Sequence, residues 1–220
     1  MLNALDSATD DLRWKFRTGE VVHASPALAD GVFFFGSWDS YFYAVDAATD
    51  KEKWRFHAGE DPLIHNQVGF QSSPAVANGV VYPGCRDANL CALDALTGKE
   101  KWRFNTELSW VITSPVVADG KVFFATSDSS LYHVVDANSG KPSVRQQGKA
   151  YMFSSPAIAG DLVFIGVLNG TLEAAMLKPA TFCGTFKSRR QSKIRAGYLP
   201  PTANSTRRFS ITQVGGKRRL

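Results

Sequence analysis

The feature that most constrains the fold is an internal repeat. Four copies of a Ser-Pro step, each followed by a short apolar run and a turn containing Asp, Asn or Gly, place their prolines at positions 26, 74, 115 and 156, which are 48, 41 and 41 residues apart. A second motif follows each of the first three prolines, and one of its positions is occupied by Trp54, Trp102 and Val144. This position lies 28, 28 and 29 residues after the respective proline. Units of nearly constant length joined by variable connectors are typical of stacked supersecondary modules.

Each repeat is predicted to form four short strands. Proline has no amide hydrogen and suits a strand start, and the Asp-Gly or Asn-Gly pair after the first apolar run favours a hairpin. Gly98 and Gly140 suit the positive φ of the last turn, where Asp10 and Asp50 stand in other copies. Four strands in roughly 41 residues indicate an all-β fold, a β-propeller of four-stranded antiparallel blades.

The most complete copy of the second motif, Ala92 to Trp102, resembles the tryptophan-docking motif of the quinoprotein-type β-propellers, the PQQ repeat family. The resemblance extends over residues 2–177. It implies a bacterial propeller, usually periplasmic or extracytoplasmic. The family includes PQQ-dependent dehydrogenases and BamB-like outer-membrane assembly factors, and many of its members carry the repeat without the cofactor.

The propeller domain is expected to span residues 1–177 as about three whole blades and two partial ones. The whole blades are predicted at residues 23–57, 71–105 and 111–147, and the partial ones at residues 2–17 and 152–177. Such a set does not close a ring of the usual size. The chain is therefore expected to be a fragment of a longer protein.

The basic residues are concentrated at the C-terminal end. Residues 1–177 carry 14 Lys and Arg with all 20 acidic residues, whereas residues 178–220 carry 11 Lys and Arg and no acid. The segment 178–220 is predicted to be a disordered basic tail. The functional alternative is a basic arm for nucleic acid or anionic lipid, and the favoured account of its origin is a reading-frame shift near residue 174. The propeller body itself is acidic and is not expected to bind nucleic acid.

Several other classes of protein are disfavoured. No apolar run approaches the roughly 18 residues of a membrane span, and the first residues lack the basic and apolar regions of a signal peptide. The cysteines Cys85, Cys91 and Cys183 form neither a disulfide framework nor a CxxC metal pair.

The residues that recur with the repeat are expected to hold the blades together. A tryptophan on the outer strand can pack on the neighbouring blade, and an aspartate before a turn can accept hydrogen bonds from it. The residues assigned to blade docking are Trp14, Trp54, Trp102, Asp46, Asp94, Asp136, Gly98 and Gly140. Val144 replaces the fourth tryptophan and should loosen that contact.

The candidate binding face consists of the longest connector, residues 57–72, and two tryptophans outside the repeat motif. Its residues are His65, Asn66, Gln67, Phe70, Trp110 and Trp38. Loops at one mouth of a propeller often carry function; the alternative is a connector packed by its own apolar side chains. His133 lies in a unit one residue longer than its neighbours, which favours a β-bulge there over a ligand role.

Two functions are compatible with the resemblance. The favoured one is a non-catalytic binding or scaffold propeller that engages a protein partner through its face or a strand edge, in the manner of a BamB-like protein. The alternative is a fragment of a PQQ-dependent alcohol or sugar dehydrogenase, for which the resemblance implies PQQ with calcium. Such a site needs Glu, Asn and Asp ligands and often an adjacent cysteine pair, whereas Cys85 and Cys91 are six residues apart. No catalytic residue, metal ligand or cofactor is therefore assigned.

Overall fold

The strands form five antiparallel sheets in chain order, here called blades 1 to 5. The computed structural model describes residues 1–59, 69–107, 109–160, 162–176 and 182–187. Blade 1 contains β1 (Leu2–Leu5) and β2 (Leu12–Phe16). Blades 2 to 5 have four strands each. Blade 2 contains β3 (Ala27–Ala29), β4 (Val32–Gly36), β5 (Tyr41–Asp46) and β6 (Glu52–His57), and blade 3 contains β7 (Ala75–Ala77), β8 (Val80–Tyr82), β9 (Asn89–Asp94) and β10 (Glu100–Asn105). Blade 4 contains β11 (Val116–Ala118), β12 (Lys121–Ala125), β13 (Leu131–Asp136) and β14 (Pro142–Gln147), and blade 5 contains β15 (Ala157–Ala159), β16 (Leu162–Val167), β17 (Thr171–Met176) and β18 (Phe182–Lys187).

The predicted all-β fold of four-stranded antiparallel blades is confirmed. Within a blade, burial follows the position of each strand. The middle strands β4 and β5 are nearly continuous apolar runs that are buried along most of their length, whereas the outer strand β6 alternates between exposed and half-buried residues. Strands covered on both faces have this apolar character. The described part of the chain contains no helix with the length and apolar character needed to cross a lipid bilayer.

The hydrophobic core is divided into separate clusters between neighbouring blades. Between blades 2 and 3, for example, Phe34 and Phe42 from one sheet meet Val81 and Leu93 from the next, all of them buried. Three similar clusters lie between the other pairs of consecutive blades. Burial of apolar area between sheets, at about 25 cal/mol per Å², is thus the main force that holds each blade to its neighbour.

Alternating strand directions place the loops at two ends of the molecule. The turns between the second and third strands and the connectors between blades lie at one end, which we call the connector face. The hairpins between the first and second strands and the repeat aspartate turns lie at the other end, the hairpin face. Residues that follow the same strand in different blades therefore share a face.

The last blade differs from the expected division. It was predicted to be partial and to end near Leu177, but β18 pairs with β17 as a fourth strand. Its register matches the other blades, because Ala174 faces Gly184 as Ala44 faces Trp54. Strand pairing uses backbone amides and carbonyls, so it does not require the Asp-x-x-Thr-Gly turn that this repeat lacks. Residues 178–181 and 188–220 of the predicted tail lie outside the described residues.

The additional residue of the repeat that contains His133 lies in a turn. In blade 4 the amide of Thr126 bonds the carbonyl of Leu131 at 2.9 Å, whereas in blade 2 the amide of Ser37 bonds the carbonyl of Tyr41 at 3.0 Å, one residue sooner. The bulge predicted at His133 is therefore not the cause of the extra length. A register shift next to this position, between the third and fourth strands, is instead a feature of all five blades.

Candidate functional site

The three repeat tryptophans each bridge one blade to the next. Every indole Nε1–H donates a hydrogen bond of 3.0 Å to the backbone carbonyl directly after the repeat aspartate of the following blade. The pairs are Trp14 with Ala47, Trp54 with Ala95 and Trp102 with Ala137. Because the indoles are half-buried, apolar contact and hydrogen bond act at the same junction, as is common for tryptophan at interfaces.

Gly98 and Gly140 lie against two of these indoles. A Cβ atom at Gly98 would lie 2.6 Å from ring carbons of Trp54, and one at Gly140 would lie 2.7 Å from ring carbons of Trp102. Both glycines have positive φ, 71° and 68°. At these two turns, backbone conformation and available space thus both favour glycine, whereas Asp50 takes the same position, with φ 56°, in the turn that receives Trp14.

The repeat aspartates organise the turns that receive the indoles. Their Oδ1 atoms accept hydrogen bonds of 2.8–3.1 Å from turn amides and from the hydroxyl three residues later. The aspartate and hydroxyl pairs are Asp46 with Thr49, Asp94 with Thr97 and Asp136 with Ser139. The hydroxyl bond is the main reason that the pKa of each carboxyl is lowered. These groups lie on the hairpin face.

On the connector face, each connector ends in a recurring pair of backbone hydrogen bonds. The residue four before the Ser-Pro proline donates to the turn of the preceding blade: Phe70 to Ser37, Val111 to Cys85 and Met152 to Ser127, at 3.0–3.2 Å. The residue before it accepts from the turn of the next blade: Val21 from Trp38, Gly69 from Arg86, Trp110 from Ser127 and Tyr151 from Leu168, at 2.9–3.1 Å. Trp110 therefore occupies a repeat position, which aligning the residues before each Ser-Pro step would have found.

Phe70 does not belong to the exposed binding face, which corrects the sequence-based assignment. Its side chain is fully buried, with its ring centroid 5.4 Å from that of Phe42. A Cβ atom on Gly36 would lie 2.0 Å from the Cβ of Phe70. The periodic backbone pattern directs Phe70 inward, as it directs the equivalent Val111 and Met152. The predicted residues His65, Asn66 and Gln67 lie outside the described residues.

Trp38 and Trp110 meet around a residue that the sequence analysis did not select, Arg86. The Arg86 guanidinium carbon lies 4.0 Å from the ring centroid of Trp110 and 5.2 Å from that of Trp38. His23 stacks on the same Trp38 ring at 5.8 Å between centroids. This group of four, the Arg86 stack, runs across the connector face from the connector before blade 2 to the connector after blade 3.

The Arg86 side chain is buried and has no ionic partner among the residues that the structure describes. The residue is 9% exposed, and within the described residues its guanidinium has neither a hydrogen bond nor an ion pair. Its Nε and the Nε1 of Trp38 are both buried donors without an acceptor in the described part of the chain. Burial lowers the pKa of Arg86. Cation–π contact contributes about 0.5–2 kcal/mol, whereas burying an unpaired charge costs several kcal/mol.

The carboxylates that follow these turn positions are bonded within the connector face. Asp39 accepts from the amide of Gly19 at 2.7 Å, and Asp87 accepts from the amide of Gly59 at 3.0 Å. Asp128 accepts from the hydroxyl of Ser109 at 2.6 Å. Each of these aspartates fastens a connector to the turn of the next blade.

The described residues do not fit the calcium and quinone centre that the resemblance implies for dehydrogenase members. Within them, no three His, Cys, Asp or Glu side chains lie together as a metal site, although calcium requires several oxygen ligands. Cys85 and Cys91 are free, buried thiols rather than an adjacent disulfide. Burial raises the pKa of both thiols.

His133 is a packed core residue. Its ring stacks on Phe124 at 5.0 Å with an interplanar angle of 13°, and Phe104 approaches edge-on at 5.3 Å. The residue is 1% exposed, and both ring nitrogens are buried with no hydrogen-bond partner in the described residues. Burial lowers the pKa of the imidazole to about 4. The ring is therefore neutral near pH 7 and enclosed by aromatic side chains.

The fold is similar to solved propellers. BamB from Moraxella catarrhalis superposes with a TM-score of 0.68 at 14% identity, covering 80% of this chain and 56% of that one. Quinohemoprotein alcohol dehydrogenase from Comamonas testosteroni gives 0.67 at 18% identity, covering 76% and 35%. A europium-containing methanol dehydrogenase gives 0.69 at 17% identity, covering 80% and 44%. This chain thus spans less than two thirds of the length of each of these structures.

A search of curated protein sequences gave no match. A family model described as outer membrane protein assembly factor BamB matches residues 1–106 and 97–176. These two matches together include all of blades 1 to 4 and the first three strands of blade 5. The chain therefore belongs to the PQQ-repeat β-propeller family that this BamB model describes.

Proposed function

We propose that the chain is part of a non-catalytic propeller that acts as a binding and scaffold module for a protein partner in the periplasm of a bacterium. The main support is the use of its polar repeat residues. The tryptophans, glycines and aspartates of the repeat make contacts inside and between blades, and the connector-face aspartates hold connectors to turns. These groups serve assembly, and none is left poised for acid–base chemistry.

The connector face is the surface that we assign to the partner. In addition to the Arg86 stack, this face carries Tyr151, Phe153 and Leu168, which are 53%, 50% and 64% exposed. The amide of Leu168 bonds the carbonyl of Tyr151 at 3.0 Å, so this apolar group is anchored to the backbone pattern of the face. Exposed apolar groups beside polar residues are a common feature of protein-binding surfaces.

The alternative function is that of a fragment of a PQQ-dependent dehydrogenase, supported by the likeness to the two dehydrogenase structures. Incubation of the purified chain with PQQ and calcium, followed by dialysis, separates the two functions. We expect no retained quinone absorbance and no dye-linked alcohol oxidation. Stoichiometric quinone with turnover would replace the scaffold proposal by the enzyme.

The location of the partner surface is tested by site-specific photo-crosslinking in intact bacterial cells. A photoreactive residue at Leu168 reports on the connector face, and one at Leu96, which is 79% exposed, reports on the hairpin face. We expect a discrete protein adduct from position 168 that is absent from position 96. Equal adducts from both positions, or none from either, would contradict a partner at the connector face.

A further inference from the structure

The Arg86 stack has the chemical features of a receptor for an acidic group. The Arg86 guanidinium and the indole N–H of Trp38 belong to one cluster, and two of their donors are buried without an acceptor. Buried donors are nearly always hydrogen-bonded in folded proteins. A positive charge beside two unused donors is therefore best completed by an anionic acceptor.

The carboxylates nearest in sequence do not supply this acceptor. Asp87, the next residue along the chain, uses one oxygen for the amide of Asn89 and the other for the amide of Gly59. Asp87 also lies 3.9 Å from a different guanidinium, that of Arg103. In the equivalent turn of blade 2, Asp39 accepts from the amide of Gly19 and the hydroxyl of Tyr43.

The surroundings favour a carboxylate over a polyanion. Residues 1–177 carry six more acidic than basic residues, so the net field of the body repels polyanions such as nucleic acid. A single carboxylate brings one charge and two acceptor oxygens, and a guanidinium binds such a group through its N–H donors. The flanking rings of Trp38 and Trp110 provide apolar surface for the carbon chain that carries it.

We propose that Arg86, with Trp38 and Trp110, forms a binding site for a carboxylate on the connector face. The carboxylate is that of an acidic side chain on a partner polypeptide, so the inference names the chemistry by which the proposed scaffold engages its partner and rests on that proposed function. A small carboxylic acid presents the same chemistry, and the experiment separates the two sources.

The test titrates the full chain with two peptides, N-acetyl-Ala-Ala-Glu-Ala-Ala-amide and its Gln counterpart, and follows tryptophan fluorescence. Trp38 and Trp110 contact Arg86 and report directly on its occupancy. We expect the Glu peptide to bind at least about tenfold more tightly than the Gln peptide, the usual scale of a charge-assisted hydrogen bond. Equal binding of the two peptides, or binding of neither, overturns the inference.

Variants assign the effect to Arg86. Arg86→Gln should abolish the preference for the Glu peptide. Arg55→Gln is the matched control, because Arg55 also lies over an aromatic ring, Tyr41, at 5.0 Å, but on an outer strand. Its preference should be unchanged. Thermal unfolding and near-ultraviolet circular dichroism verify that both variants are folded, and an Arg86→Gln protein that is folded and still prefers Glu contradicts the proposal.

Three further measurements identify the chemical class of the ligand. Competition by acetate supports carboxylate chemistry, and inorganic phosphate competing better than acetate overturns it. If succinate binds more tightly than the Glu peptide, the ligand is a small acid and not a side chain of a polypeptide. The crosslinking experiment on the partner face is independent of this result. The double variant Glu60→Gln/Asp61→Asn tests whether an acidic residue of the chain itself pairs with Arg86. If the preference for the Glu peptide is seen only in this variant, Arg86 is paired within the chain and the inference fails.

Discussion

The indole of Trp54 lies against Gly98 of the next blade, so closely that a Cβ atom at residue 98 would fall 2.6 Å from ring carbons. The same ring donates its N–H to the carbonyl of Ala95, three residues before that glycine. One aspartate-organised turn therefore presents both a carbonyl and a bare Cα to the indole. The relationship recurs between Trp102 and Gly140, so the same clasp joins two consecutive pairs of blades, whereas the turn that receives Trp14 has Asp50 in place of the glycine.

Gly98→Ala is expected to destabilise the protein by more than its backbone strain alone. A left-handed φ costs a non-glycine residue about 1–2 kcal/mol, and displacing the indole adds about 1–3 kcal/mol. Gly79→Ala is the matched control, because Gly79 has φ 70° but nothing within 4 Å of its Cβ position. Urea unfolding measures both variants. Equal losses at the two positions would show that the indole contact contributes nothing.

A double-mutant cycle isolates the clasp. In a Trp54→Ala background, Gly98→Ala should cost no more than Gly79→Ala, because the ring that the new methyl group meets is gone. If Gly98→Ala lowers the free energy of unfolding by the same amount with and without the indole, the new methyl group does not strain against Trp54.

Repetition explains how much of the fold could be predicted from the sequence. The turns and docking residues recur at fixed spacing, and local turn chemistry at Gly98 and Asp94 is enough to place them. Strand β18 was missed because pairing through backbone groups requires no particular side chain. The expectation for residues 178–220 rested on composition, and composition does not report strand register.

The Arg86 stack was not predicted because its members come from the turns of two different blades and from two connectors. Trp38 and Arg86 occupy equivalent turn positions, but they are 48 residues apart and unlike in chemistry. Their proximity depends on how neighbouring sheets pack, which the pattern within one repeat does not contain. The sequence motifs place Trp110 outside the repeat, whereas its carbonyl accepts the same hydrogen bond from a turn amide as that of Tyr151.

Phe70→Ala is expected to lower the free energy of unfolding by about 3–5 kcal/mol, the usual cost of removing a buried aromatic side chain. The ring fills the space between Gly36 and Phe42, and nothing else in the described residues takes that place. Leu96→Ala, at an exposed position, is the control and should change stability by less than about 0.5 kcal/mol. A similarly small effect at Phe70 would favour the original surface assignment.

The thiols of Cys85 and Cys91 should be unreactive in the native protein. Both side chains are buried, and burial raises the pKa of each, so little thiolate is present at neutral pH. In a Cys183→Ser background, we expect Ellman's reagent to detect no thiol in buffer and two thiols in denaturant. Detection of neither in denaturant would reveal a disulfide, contrary to the free cysteines of the structure.

His133 should make the protein less stable in mild acid. Its pKa is about 4 when folded, mainly because of burial, and the reference value is 6.5. The unfolded chain therefore binds the proton more readily, and stability is full above pH 6.5 and falls as the pH drops towards 4. At pH 5 the loss from this group is about 2 kcal/mol. The charged groups that act on the ring are Arg145, which reinforces the shift, and Glu107, which opposes it.

His133→Phe removes this titration while keeping an aromatic ring against Phe104 and Phe124. We expect urea unfolding to show a larger gain for the variant at pH 5 than at pH 7.5, by about 2 kcal/mol. Replacement of the exposed Leu96 by Ala is the control, because it changes no titratable group, and it should leave the difference between the two pH values as it is in the parent chain. The same gain for His133→Phe at both pH values would mean that the buried imidazole is already protonated or is reached by water.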